Sequence, residues 1–399
     1  MKVQVYCSYF LLLCCIGFFS CGTDTQNEQK ENVATVDSVS HKDSVKSEPT
    51  ADPISFDRTD DYTSRIIAGM QDGDTNPYKA VSEYTSWKKF AATMDSSWAR
   101  VNRQRLGKMR NWSETELENL SATTVFYPFS GPDFIHATTF FPKADKYYLF
   151  GLEPIGDLPD LNNKSEKDVS AYCEAMQGAL RDIFQRSYFL TKKMSADMPK
   201  INGVVPMICT FLVRTNHIVT KIQPLLLMEN GQTMNWVGTA SDSPKKLPRL
   251  VRIDFLDTDM RKPKSVFYYS GDLSDNGVKV KPAIKAFLDA LPEGCVGYLK
   301  SASYLMHYES FSTIRNAMLG KCKAILQDDT GIAYKYYDSA QWNVQLYGVY
   351  TPPIEEFKGR FQKELDHDYK DSSRVKPLPF EIGYHWGTHK DNLQLATKK

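Results

Sequence analysis

The sequence predicts an α/β fold in which helices flank a mixed, mostly parallel sheet. Two observations lead to this class. Runs of β-prone residues alternate with helical runs from residue 123 to residue 369. Residues 123–152 read as strand, short helix and strand, which predicts a Rossmann-like β-α-β start. A polar segment ahead of this region predicts a disordered tether.

The elements follow from periodicity and turn residues. Helices are predicted where apolar residues recur every three or four positions, over residues 82–109, 132–141, 167–198, 281–290, 308–319 and 354–369. Strands are predicted where β-branched and aromatic runs are bounded by turn residues, over residues 123–129, 146–152, 204–213, 218–228, 234–238, 250–256, 264–273, 295–300, 323–328 and 342–350. The dense aromatic residues around residues 126–141 are expected to form core.

The N-terminus predicts export. Lys2, an apolar run over residues 9–19 and then Cys21 form the pattern of a bacterial lipoprotein signal peptide. We expect residues 1–20 to be removed and Cys21 to be acylated, which would anchor the protein to the cell envelope, at the periplasmic or surface face of the outer membrane. An ordinary secretory leader cleaved nearby is the alternative.

Three further segments follow the leader: a disordered tether over residues 21–58, a helical segment over residues 59–120 and an α/β domain over residues 121–399. Four cysteines lie outside the leader, and none forms a CxxC pair: Cys173, Cys209, Cys295 and Cys322. We expect buried thiols, although an exported protein can also form disulfides.

Nucleic-acid and metal sites are not predicted. The formal net charge of +1 gives no basic excess to attract nucleic acid. Residues 272–277 resemble the first half of a calcium loop, but its twelfth position is Ala283 rather than a glutamate. His385 and His389 have the spacing of zinc ligands on a helix, but Gly387 lies between them and no glutamate accompanies them.

A cofactor site is a candidate at the end of the first β-α-β strand. Gly131 permits a tight turn, Pro132 suits the first helical position, and Asp133 then lies in the first turn. Glu153 follows the second strand, where nucleotide-binding folds hold a ribose. With Ser130, these residues resemble the start of a Rossmann-like methyltransferase, although one glycine stands where that fingerprint has two or three. No particular cofactor is indicated, and a plain helix-starting turn is the alternative.

Candidate catalytic residues follow two later strands. Lys300, Ser303 and His307 are close together in LKSASYLMH, and on a helix Ser303 and His307 share a face, as a nucleophile and its base would. Asp328 and Asp329 end a strand and are expected at the same sheet edge as Lys300. Polar contacts at turns are the alternative for both groups.

Several stretches together resemble an uncharacterised family of exported bacterial lipoproteins of the Bacteroidota type. They are YPFSGPDF, TFFP, GLEPIG, LKSASYLMH, QDDTGIAYKYY and WNVQLYGVYTPPIEEF. No activity is established for that family. We therefore expect a membrane-anchored envelope protein that binds a ligand or a protein partner without catalysis. The alternative is an enzyme with a Rossmann-like site, methyltransferase-like or hydrolytic, at the carboxyl edge of the sheet.

Overall fold

The computed structural model describes residues 56–71, 76–189, 191–238, 249–257 and 262–399, without the side chains of residues 191–195. The expected leader, the acylated Cys21 and the tether up to residue 55 lie outside these residues. No helix in the described part of the chain is both long enough and apolar enough to cross a membrane.

Eleven strands form one sheet within the described residues, in the order β10-β9-β11-β8-β7-β1-β2-β6-β5-β3-β4. The strands are β1 (Thr124–Tyr127), β2 (Lys146–Gly151), β3 (His217–Leu227), β4 (Thr233–Asn235), β5 (Arg249–Asp257), β6 (Pro263–Ser270), β7 (Cys295–Leu299), β8 (Cys322–Gln327), β9 (Trp342–Gly348), β10 (Val375–Lys376) and β11 (Asn392–Lys398).

The five central strands, β8-β7-β1-β2-β6, are parallel. β11 runs antiparallel to both of its neighbours, β8 and β9, and β5, β3 and β4 extend the other edge in antiparallel fashion. A mixed sheet was predicted correctly, but "mostly parallel" was wrong, because five of the ten strand pairings are antiparallel. Among the parallel strands, β2 and then β6 are added on one side of β1, and β7 and then β8 are added on its other side. The direction in which strands are added therefore reverses between β1 and β7.

Helices cover both faces of the sheet. They are α1 (Thr59–Ile67), α2 (Lys79–Glu83), α3 (Thr85–Val101), α4 (Gly107–Glu116), α5 (Phe134–Phe140), α6 (Glu166–Arg186), α7 (Thr191–Ile201), α8 (Val205–Arg214), α9 (Asp275–Val280), α10 (Pro282–Asp289), α11 (Ser312–Lys321) and α12 (Lys363–Tyr369). Alternate strand residues supply two cores. Val125 and Tyr127 pack with α1, α3, α5, α6 and α8, whereas Phe126 and Phe150 pack with α9, α10 and α11.

Several elements differ from the prediction. Residues 204–213 were predicted as a strand but form helix α8. The prediction was wrong because every residue of that helix is buried, and an apolar run of this length has no period that distinguishes a helix from a strand. The single helix over residues 167–198 is α6 followed by α7, since Ser187 (φ 72°) ends α6 in the left-handed conformation. The C-terminal strand β11 was not predicted. The helical segment over residues 59–120 belongs to the same compact unit as the sheet.

Candidate functional site

A cleft of about 270 Å³ opens at the carboxyl ends of β1, β2, β6 and β7, beside the point where the chain changes direction. We call it the central cleft. It brings together six of the predicted site residues: Ser130, Gly131, Asp133, Glu153, Lys300 and Ser303. The other two, His307 and Asp328, are not among its lining residues. Tyr127, Gly151, Asp272 and Tyr384 also line it, and sequence reasoning had not assigned them to a site.

The turn after β1 differs from the predicted helix start. Asp133, which was expected in the first turn, is the N-cap of α5, and its side chain accepts a hydrogen bond from the backbone N–H of His136. Gly131 has a φ of 52° and makes the turn that precedes the cap. The Ser130 hydroxyl donates a hydrogen bond to the carbonyl of Phe150 (3.1 Å) and accepts one from the N–H of Phe150 (3.0 Å). These two hydrogen bonds connect the turn to β2. The hydroxyl is therefore used structurally.

A buried charge cluster forms the floor of the central cleft. Asp133 Oδ2 lies 2.7 Å from Lys300 Nζ and accepts a hydrogen bond from the Tyr127 hydroxyl (2.9 Å), while Asp133 Oδ1 lies 2.6 Å from His136 Nδ1. Lys300 also donates to the carbonyl of Ser187. Sequence reasoning missed His136, although its position three residues after a capping aspartate was a usable signal.

The protonation of this cluster follows from burial and pairing. Burial alone would raise the pKa of Asp133, but the adjacent His136 and Lys300 lower it to about 2, so Asp133 is ionised. Burial lowers the pKa of His136 to about 4, so its ring is neutral near pH 7. The short contact to Asp133 assigns the ring proton to Nδ1, which leaves Nε2 buried and without a partner among the described residues.

Glu153 faces this turn from the end of β2. The Tyr268 hydroxyl donates to Glu153 Oε2 (3.2 Å) and to its backbone carbonyl (3.1 Å). A Cβ at Gly131 would lie 3.5 Å from Glu153 Oε2, and one at Gly151 would lie 2.3 Å from it. The carboxylate therefore occupies the space that the two glycines leave open because they have no Cβ.

The segment after β7 holds three residues with left-handed backbone. Ser301, Ser303 and Tyr304 have φ values of 50°, 52° and 55°, which cost free energy for residues with side chains. The predicted helical pairing of Ser303 with His307 is wrong, since a 3-10 helix begins only at Leu305. Ser303 instead shares a hydrogen bond with the Tyr384 hydroxyl (3.0 Å). The Nε2 atom of His307 is buried without a partner among the described residues.

Asp328 and Asp329 hold this segment in place. Asp328 accepts hydrogen bonds from the N–H of Ser301 (2.8 Å) and of Thr330 (3.0 Å). It therefore lies at the same sheet edge as Lys300, as expected. Asp329 accepts from the Tyr304 hydroxyl (2.5 Å) and from Asn392 (2.8 Å). Burial, together with the neighbouring Asp329, raises the pKa of Asp328 to about 7. The contacts support the turn interpretation of this pair over a catalytic one.

Asp328→Asn should stabilise the protein relative to wild type as the pH rises. The carboxyl is ionised in the unfolded chain above about pH 4 but is protonated in the folded chain up to about pH 7. Because its folded pKa is raised, wild type should lose about 1 kcal/mol relative to the variant between pH 6 and pH 8. The buried histidines His136, His217 and His307 act in the opposite direction in both proteins and cancel. Urea unfolding at both pH values measures the difference, and a constant difference would contradict the assignment.

Cys173, Cys209, Cys295 and Cys322 are buried free thiols, with Cys295 Sγ 3.5 Å from Cys322 Sγ. Within the described residues, no group of three or more His, Cys, Asp or Glu side chains is placed to hold a metal ion.

No family model, no curated protein and no solved structure matches the chain.

Proposed function

We propose that the parallel half of the sheet is a Rossmann-like fold of the methyltransferase type and that the central cleft binds S-adenosylmethionine. The strand order carries the proposal. In chain order, the parallel strands β6-β2-β1-β7-β8 are the third, second, first, fourth and fifth, which is the Rossmann order. Beyond this order the sheet continues through the antiparallel β11, which lies between β8 and β9. A similar fold does not define a reaction, so the support for a ligand must come from the residues of the cleft.

The charges in the cleft favour a cationic ligand. Lys300 compensates Asp133 at the floor, which leaves Glu153 and Asp272 as its remaining charges. Two negative charges suit the sulfonium and ammonium groups of S-adenosylmethionine. Glu153 follows the second strand and faces Gly131, the position from which an acidic side chain accepts hydrogen bonds from ribose hydroxyls.

The residues present can position the reactants, but neither Asp133 nor Ser130 is free to act as a base or nucleophile. The carboxylate of Asp133 is fully hydrogen-bonded and strongly acidic, and the Ser130 hydroxyl is engaged with β2. We infer that methyl transfer would depend on holding the sulfonium in line with an acceptor that is already nucleophilic. The same satisfied groups favour the second candidate, a non-enzymatic envelope protein anchored at Cys21 that binds a small ligand in this cleft.

Titration calorimetry with S-adenosylmethionine and S-adenosylhomocysteine tests the proposal. We expect binding of both, and Glu153→Gln should weaken it about tenfold, because a ribose hydrogen bond to a carboxylate is worth about 1.5–3 kcal/mol. Glu118→Gln is the control, since Glu118 is an exposed carboxylate outside the cleft. Absence of binding by wild type, or equal loss in both variants, would contradict the proposal. If the cofactor binds but its methyl group is never transferred to any acceptor, the non-enzymatic candidate is favoured.

A further inference from the structure

A second, larger groove lies apart from the central cleft. It is formed by α3, the π-helical turn Asn102–Leu106 and α4 on one side, the end of α6 at its floor, and residues 377–391 on the other side. Its volume is about 860 Å³, against about 270 Å³ for the central cleft. A groove of this size accommodates a drug-sized molecule. π-helical turns are rare and occur frequently at functional sites.

One wall carries two cations with a glutamine between them. Arg100, Gln104 and Lys108 are spaced four residues apart and all line the groove. Because a helix rises 1.5 Å per residue, Arg100 and Lys108 are separated by roughly 12 Å along it. Arg186, at the end of α6, adds a third cation. None of these three cations has a hydrogen-bond or ion-pair partner within the part of the chain that the structure describes.

The other charged groups of the groove are already engaged. Buried Arg105 donates to the carbonyls of Ile183 (2.9 Å) and Phe184 (3.0 Å). Glu381 lies 2.9 Å from His389 Nδ1 and accepts from the N–H of Gly387. Asp391 accepts from the N–H of Ile382 (3.1 Å). The charge left to interact with a ligand is therefore positive.

The remaining wall is apolar and aromatic. It includes Phe184, Leu378, Phe380 and Trp386, and the Trp386 side chain remains 36% exposed. Such a wall would bury the apolar body of a ligand while the cations bind its charged groups. We propose that this groove binds a soluble organic dianion, with carboxylate, sulfonate or phosphate groups on an apolar or aromatic body. The proposal does not depend on the function assigned to the central cleft.

Fluorescence titration with bis-ANS, which carries two sulfonates on an aromatic body, tests the proposal. We expect saturable binding at one site that weakens as salt is added. The triple variant Arg100→Gln, Lys108→Gln, Arg186→Gln should weaken it at least about tenfold, because charge-assisted hydrogen bonds are lost. Arg103→Gln is the matched control, since Arg103 is an exposed cation of the same π-helical turn that does not line the groove.

The control should bind bis-ANS as wild type does. Trp386→Ala should also weaken binding, whereas nonspecific charge attraction would leave that variant unaffected. Equal binding by wild type and the triple variant, or equal loss in Arg103→Gln, would overturn the proposal. Circular dichroism of each variant checks that the substitutions leave the fold intact. S-adenosylmethionine binding at the central cleft should be unchanged in the triple variant, which separates the two sites.

Discussion

Asp133→Ala should lower the free energy of unfolding by about 3–5 kcal/mol, the usual effect of removing one partner from a buried ion pair. The substitution leaves the ammonium group of Lys300 buried, and its remaining hydrogen-bond contacts among the described residues are the Ser187 carbonyl and the neutral His136 ring. It also removes the acceptor of the Tyr127 hydroxyl and the cap of α5. Urea unfolding should show a lower midpoint with an unchanged slope.

Two further variants define the origin of this effect. Asp289→Ala removes the same side chain from an exposed i,i+4 pair with Lys285 and should cost no more than about 0.5 kcal/mol. Adding Lys300→Met to Asp133→Ala should recover part of the lost stability, because the uncompensated charge is then gone. If Asp133→Ala is no more destabilising than Asp289→Ala, the buried pair does not contribute as the structure implies.

Gly156→Ala should destabilise the protein by at least about 3 kcal/mol, at the upper end of what overpacking costs. Gly156 has a φ of 68°, and a Cβ there would lie 1.4 Å from the backbone carbonyl oxygen of Asn202. Backbone atoms cannot rotate away as a side chain can. Residues 155–157 cross residues 202–204 at this point. Hydrogen bonds from Asp157 N–H to the Asn202 carbonyl (3.1 Å) and from Val204 N–H to the Ile155 carbonyl (3.0 Å) hold this crossing together.

The consequence should extend to the central cleft, because this crossing fixes the segment that carries Glu153. We expect faster amide hydrogen exchange over residues 153–157 and weaker binding of any ligand held by Glu153. Gly359→Ala is the control, since a Cβ there meets nothing within 4 Å and should change stability by no more than about 0.5 kcal/mol. Equal stability of the two variants would show that the crossing is looser than described.

Local pattern predicted most elements of the α/β fold. The β1–α5–β2 unit, β3 and the β7–α11–β8 unit lie close to their expected positions because their periods and turn residues are local signals. Helix α8 was misassigned because a fully buried helix has no polar face. The antiparallel β11 was missed, and no local signal indicated the order of the parallel strands that supports the proposed function.

The candidate site was partly predictable for the same reason. Gly131, Asp133, Glu153 and Lys300 follow strand ends, and parallel strands bring their carboxyl ends to one edge. The pairing of Asp133 with Lys300 joins positions 167 residues apart in the sequence, so no local spacing indicates it.

The sequence by itself determined the alternation of strands and helices and the candidate residues at the strand ends. Tertiary structure decided which of those residues meet. Ser303 turns to Tyr384 rather than to His307, and Asp328 supports the backbone of Ser301. The tertiary structure also places the cations Arg100 and Arg186, which belong to two different helices, along one groove. The physical reason is that periodicity reports which face of an element is buried, whereas contacts between elements depend on strand order and on the long connections that bring distant side chains together.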